Sequence, residues 1–217
     1  MSTSTVCVLG ILCLVACEKS AATTTAPSAE SVKVEPPPPP PVAKEPTPLE
    51  TILETKDLNK ALTTMKPLFK DVSTDEPADA NAFSFAIWAH ANLTWKDIGA
   101  LPFVKTAAFK KDPDLERGKY FCFRSSIIQI AKVPGKYPIY SGLMGGRGSD
   151  DVVDFLAVHS TGELVEKSQA KFCGIVTGKH SYRNSGGGST HAIQLVGMFD
   201  LPENRTFGTP PAPTVAH

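Results

Sequence analysis

"KYFCFRSSIIQIAKV", residues 119–133, is the stretch on which the fold reading turns. It is β-branched and aromatic, has no internal glycine or proline, and ends at Pro134-Gly135, a turn dipeptide. The same texture recurs downstream. "YPIYSGLM" (137–144) is stopped by "GGRGSDD", "VVDFLAVHS" (152–160) is closed by Thr161-Gly162, and "CGIVTGKHSYRN" (173–184) and "THAIQLVGMFDL" (190–201) flank the turn-rich "SGGGS". Between the third and fourth runs, "ELVEKSQAKF" (163–172) holds helix formers with Leu164, Ser168 and Phe172 at four-residue spacing. The expected order is therefore strand, strand, strand, helix, strand, strand.

Upstream the period changes. Leu58, Leu62, Met65 and Phe69 recur every three or four residues, an amphipathic helix that Pro67 shortens or bends. "ADANAFSFAIWAHANL" (78–93) predicts a second helix, with Phe83, Ile87, His90 and Ala91 on one face. A lone histidine within an apolar stripe reads as a packed residue with a local hydrogen bond, so His90 is not taken as a ligand. Thr94, with Asp97 three residues on, caps a short third helix, and Trp88 and Trp95 read as packing residues. Residues 49–111 are thus a helical part, 112–207 a β-rich part, and the proline-containing 208–217 a tail.

The order of elements in 112–207 resembles the OB-fold, a five-stranded Greek-key barrel with a helix between its third and fourth strands. Glycines near strand starts (Gly118, Gly174, Gly178) fit the bends of a tight barrel. The fold class expected is α+β, mainly β: an OB-like β-β-β-α-β-β barrel preceded by two or three short helices. The resemblance implies a binding face with flanking loops. In this chain those regions supply Lys132, Lys136, Tyr137 and Tyr140, then Lys179, Tyr182 and Arg183. Cations interleaved with aromatics suit a stacked base or sugar, although solvated surface residues have the same composition.

The N-terminal region gives an address. Val6 to Ala16 is eleven residues without a charge, too short for a bilayer core of roughly 30 Å. It ends Leu14-Val15-Ala16-Cys17, which resembles the bacterial lipobox. The resemblance implies cleavage after residue 16 (signal peptide 1–16), a lipid on Cys17, and a membrane-anchored envelope lipoprotein. Glu18 is not the aspartate that resembles an inner-membrane retention signal, which points to the outer membrane. Residues 17–48 include six consecutive prolines, Pro36 to Pro41, no aromatic residue, and only three large aliphatic ones. Such a segment cannot bury enough apolar area to offset its ordering entropy, and its proline run is a semi-rigid spacer. It reads as a disordered tether.

Of five cysteines, Cys7 and Cys13 leave with the signal and Cys17 takes the lipid, so Cys122 and Cys173 remain. In an OB barrel the first strand lies beside the fourth, which implies a Cys122–Cys173 disulfide; two buried free thiols are the alternative.

Lys plus Arg equals Asp plus Glu at 22 each, and no basic stripe emerges, so nucleic acid is not an expected partner. The chain lacks a nucleophile elbow, a phosphate loop with its lysine, and a His-Glu-x-x-His motif, so no enzyme activity and no cofactor are expected. His180 and His191 fall opposite or nearly opposite each other if the hairpin turns near Ser185/Gly186. They form a metal-site pair with no third ligand in view, or two independent surface histidines. The expected partners are the membrane, through Cys17, and an envelope protein, oligosaccharide or small ligand. A purely scaffolding role is the rival.

Overall fold

The structure is a computed structural model and describes residues 45–73, 79–146, 151–183 and 187–208. Cys17, the signal segment, most of the tether and the tail lie outside the described residues. The fold is α+β, mainly β: one six-stranded sheet with seven α-helices among the described residues. None of these helices is long and apolar enough to cross a membrane.

Short, well-capped helices come first. Thr47 and Glu50 form a capping box at the start of α1 (Pro48–Leu53), and Asp57 caps α2 (Leu58–Met65). Pro67 lies in the 3-10 turn Lys66–Leu68 that ends α2, as its missing N–H requires. α3 (Ala80–Asn92) buries Ala82, Phe85, Ala86, Trp88 and Ala89, whereas the expected face of Phe83, Ile87 and His90 is only half-buried. This helix is apolar almost all round, so periodicity alone does not select the side that meets the sheet. Thr94 and Asp97 make the expected capping box on α4 (Trp95–Ala100). Two further helices, α5 (Thr106–Lys111) and α6 (Pro113–Glu116), precede the long strands that begin at Tyr120.

The strands are β1 (Val72–Ser73), β2 (Tyr120–Lys132), β3 (Tyr140–Gly145), β4 (Val152–Ala157), β5 (Gln169–Arg183) and β6 (Ser189–Phe199). Pairings run β2-β3-β4-β6-β5 and return to β2, a barrel-like ring that is unevenly closed. The unevenness lies in β2: Tyr120–Ser126 pairs with β5 and Ser126–Lys132 with β3, with a bulge near Ile127. All contacts in the ring are antiparallel except β4 with β6. β1, which has no counterpart in the expected order, adds in parallel to the far end of β5. Where β5 and β6 cross closest, Gly174 faces Gly197; a Cβ on Gly197 would sit 2.1 Å from the Cys173 carbonyl oxygen.

The ring separates two apolar clusters. Phe121, Ile127, Met144, Val153, Phe155, Phe172, Leu195 and Phe199 fill the inside, with Phe109 of α5 among them. Alternate residues on the outer face, including Ile175, Val196 and Met198, pack against Trp88, Phe85 and Leu93 of the helical layer. α7 (Pro202–Thr206) follows β6.

The helix expected over 163–172 is absent. Residues 161–168 make two turns, with Gly162 at φ 52° and Lys167 at φ 70°, and β5 begins at Gln169. Pairing with β2 decides it, because Phe172 and Cys173 sit opposite Phe123 and Cys122. A helix through Phe172 would break that ladder and remove a fully buried ring from the barrel interior. Cys122 and Cys173 form the expected disulfide, with Cα atoms 4.1 Å apart.

Candidate functional site

The β5–β6 hairpin carries most of the polar chemistry. Its inner face and the start of β4 border a cavity of about 610 Å³ at one mouth of the barrel. Phe109, Pro113, Val152 and Ile193 supply the apolar lining. Lys110, Asp151, Lys179, Ser189, Thr190 and His191 supply the polar one. Phe109 of α5 is 4 % exposed, packing in the ring's interior cluster while bordering this cavity.

Charges at this mouth are paired. Lys110 Nζ lies 2.5 Å from Asp151 Oδ1. Lys179 Nζ lies 3.6 Å from Asp71, whose Oδ1 also accepts the Lys179 backbone N–H at 2.9 Å and Arg117 Nη2 at 2.8 Å. Arg117 also contacts Asp114 at 2.9 Å. Asp71 directly precedes β1, so this carboxylate ties β1 to β5 as well as balancing the rim. A second hollow of about 450 Å³, lined by Ser73, Ser181, Tyr182, Arg183 and the Gly187–Ser189 segment, shares Ser189 with the first.

The binding residues expected from sequence separate into two groups. Lys132 pairs across the strands with Tyr140, which lies opposite Ala157 at the end of β4. Lys179 lies opposite Ile193, which faces Val153 near the start of β4. Four residues of strand separate the two positions, about 13 Å. Tyr140 packs on the barrel interior and Tyr137 on the helix-facing cluster, with Lys136 Nζ 5.7 Å from the Tyr137 ring centroid. These two half-buried tyrosines pack against two different cores. Lys179 lines the first hairpin cavity and Tyr182 and Arg183 the second, with the Tyr182 ring 5.9 Å from that of His180 on the face opposite Lys179.

His180 and His191 are not facing residues. The register pairs His180 with Ala192 and Ser181 with His191, one residue from the expected alignment, which sends the two rings to opposite faces. A bulge between Val176 and Gly178 is part of this register. His191 shares a 2.8 Å hydrogen bond with the Ser181 hydroxyl. His180 Nδ1 lies 2.8 Å from Asp154 Oδ2. That hydrogen bond raises the His180 pKa above its ordinary value, against the opposing effect of burial. Burial, and then the Asp154 charge, raises the Tyr182 phenol. Among the described residues no group of three or more His, Cys, Asp or Glu is placed to hold a metal.

Asp154, Asp71, Lys110 and Asp151 were not singled out by sequence. Asp154 had a legible signal: in "VVDFLA" it is the polar member of the face opposite Val153, Phe155 and Ala157. The others depend on where a preceding loop and α5 meet the barrel. Neither a protein-family model nor a curated protein matches this chain.

Proposed function

We propose that this chain is a lipid-anchored protein of the bacterial envelope whose OB-like barrel is a non-enzymatic binding module. The observation that carries the binding reading is the cavity of about 610 Å³ at the barrel mouth, within the size range of small-ligand sites. Both lysines at its rim are matched by carboxylates. That balance favours a neutral polar ligand, such as one saccharide unit, over a phosphate-bearing one, which needs uncompensated cations. The OB-like reading is supported by the order in which the five strands of the ring pair and by the single parallel contact between its third and fifth members. The missing helix is a departure from that pattern. The anchor reading rests on Leu14-Val15-Ala16-Cys17 and the proline-rich segment after it. Outer-membrane placement rests on Glu18.

A thermal-shift screen of the full chain against neutral glycans, peptides and inorganic phosphate tests the binding reading. A ligand at 100 times its Kd stabilises by about 2.7 kcal/mol, an easily read rise in Tm. Silence across the screen would favour a scaffolding role. Intact mass of the membrane fraction tests the anchor: a diacylglyceryl adduct on a chain starting at Cys17 is expected, and a Cys17→Ser variant should leave that fraction.

A further inference from the structure

We propose that His90 and His159 form a pH-sensitive clasp between the helical layer and the barrel, closed while both rings are neutral and loosened when both are protonated. His90 is in α3 and His159 lies two residues beyond β4. Each donates to the other's segment: His90 Nδ1–H to the Val158 carbonyl at 2.5 Å, and His159 Nε2–H to the Leu93 carbonyl at 2.9 Å. Carbonyls only accept, so the partners assign both tautomers. Leu93 is the C-cap of α3, and its carbonyl is among those a helix end leaves without an intrahelical partner. The two bonds therefore cross the same junction in opposite directions, and the ring centroids are 5.9 Å apart.

Charge is what opens this arrangement. One protonated ring keeps its bond and suits the negative end of the helix dipole. The second places a like charge about 6 Å away in a half-buried site, where repulsion is only partly screened. The surroundings offer no relief. From the β2–β3 connection, Tyr137 meets the His90 ring edge-on at 6.3 Å, with the Lys136 ammonium over its own ring. From the end of α7, Phe207 covers His159 at 4.0 Å, and Arg205 sits over Trp95. Glu203 bonds Ser160, and Asp97 is engaged in the Thr94 cap. Among the described residues no carboxylate hydrogen-bonds or ion-pairs with either imidazole. Burial, opposed by the Leu93 carbonyl and assisted by the His90 charge, holds the His159 pKa below its ordinary value. A depressed histidine stabilises the fold above the unfolded value of about 6.5, and that stability is lost as pH falls through the folded value.

Hydrogen–deuterium exchange of the full chain at about pH 8 and about pH 5, corrected for intrinsic rates, tests the clasp. The reporters are the Leu93 amide, bonded to Ala89, and the Val158 amide, bonded to Gly197. Their protection should fall at least about tenfold in acid while Ile175, deep in the β5–β6 ladder, holds. The His90→Gln/His159→Gln double variant should not respond to pH. Equal protection at both pH values, or a response that persists in the double variant, overturns the proposal. Should the variant not fold, ring-proton NMR titration of the unaltered chain decides. Coupled curves with His159 titrating low support the clasp, and two independent ordinary curves refute it.

Discussion

Reducing the Cys122–Cys173 bridge should remove a large share of this fold's stability. The bridge closes a sequence separation of 51 residues, running from the first half of β2 through β3 and β4 to the start of β5. The loop-entropy relation gives about 4 kcal/mol at 25 °C for such a loop. Native-state effects act in the same direction: Cys173 is 1 % exposed and faces Cys122 at a Cα separation of 4.1 Å, so reduction must seat two thiols where one bond was. For a folded unit of this size 1 kcal/mol is roughly 2–4 °C, so Tm should fall by about 8–16 °C. Reversible urea unfolding with and without reductant is the assay, with non-reducing peptide mapping to confirm the starting bridge. The slope m should also rise on reduction, because an unbridged denatured chain is more expanded. A loss below about 1 kcal/mol with m unchanged would refute the reasoning. It would mean that β2–β5 pairing persists in the denatured ensemble or that the oxidised bridge is strained by as much as it stabilises.

Other substitutions test other links. Gly197→Ala should cost about 3 kcal/mol or more by urea midpoint, because the new methyl would meet the Gly174 Cα at 2.3 Å as well as the Cys173 carbonyl oxygen; an unchanged midpoint would show that β5 and β6 are not so close. Trp88→Phe should cost about 1–3 kcal/mol, since the fully buried indole donates to the Thr55 carbonyl at 2.7 Å and the phenyl ring cannot. The His180–Asp154 pair should act with the opposite pH sign to His159. Its raised folded pKa makes its contribution complete below about 6.5 and lost as pH rises through the folded value. Stability profiles of the native chain and Asp154→Asn should therefore converge at alkaline pH, and parallel profiles would remove the pair's role.

What the amino-acid sequence determined by itself was local. Pro134-Gly135 does follow the end of β2 and Thr94 with Asp97 does cap a helix, because turn and cap signals act over a few residues, whereas β4 ends at Ala157, short of Thr161-Gly162. Facing and register were decided only by the tertiary structure. In α3, apolar nearly all round, packing against α1, α2 and the sheet selected Ala82, Phe85, Ala86 and Ala89 over Phe83 and Ile87. In 163–172 the β2 ladder claimed Phe172 and Cys173 and overrode a helical spacing worth a few tenths of a kcal/mol per residue. In the β5–β6 hairpin a one-residue register difference separated His180 from His191 and gave His180 to Asp154. The pair that does meet, His90 with His159, comes from a helix and a strand end 69 residues apart in sequence. No local pattern encodes such a contact, because it exists only once the two apolar faces of the ring have chosen what to bury.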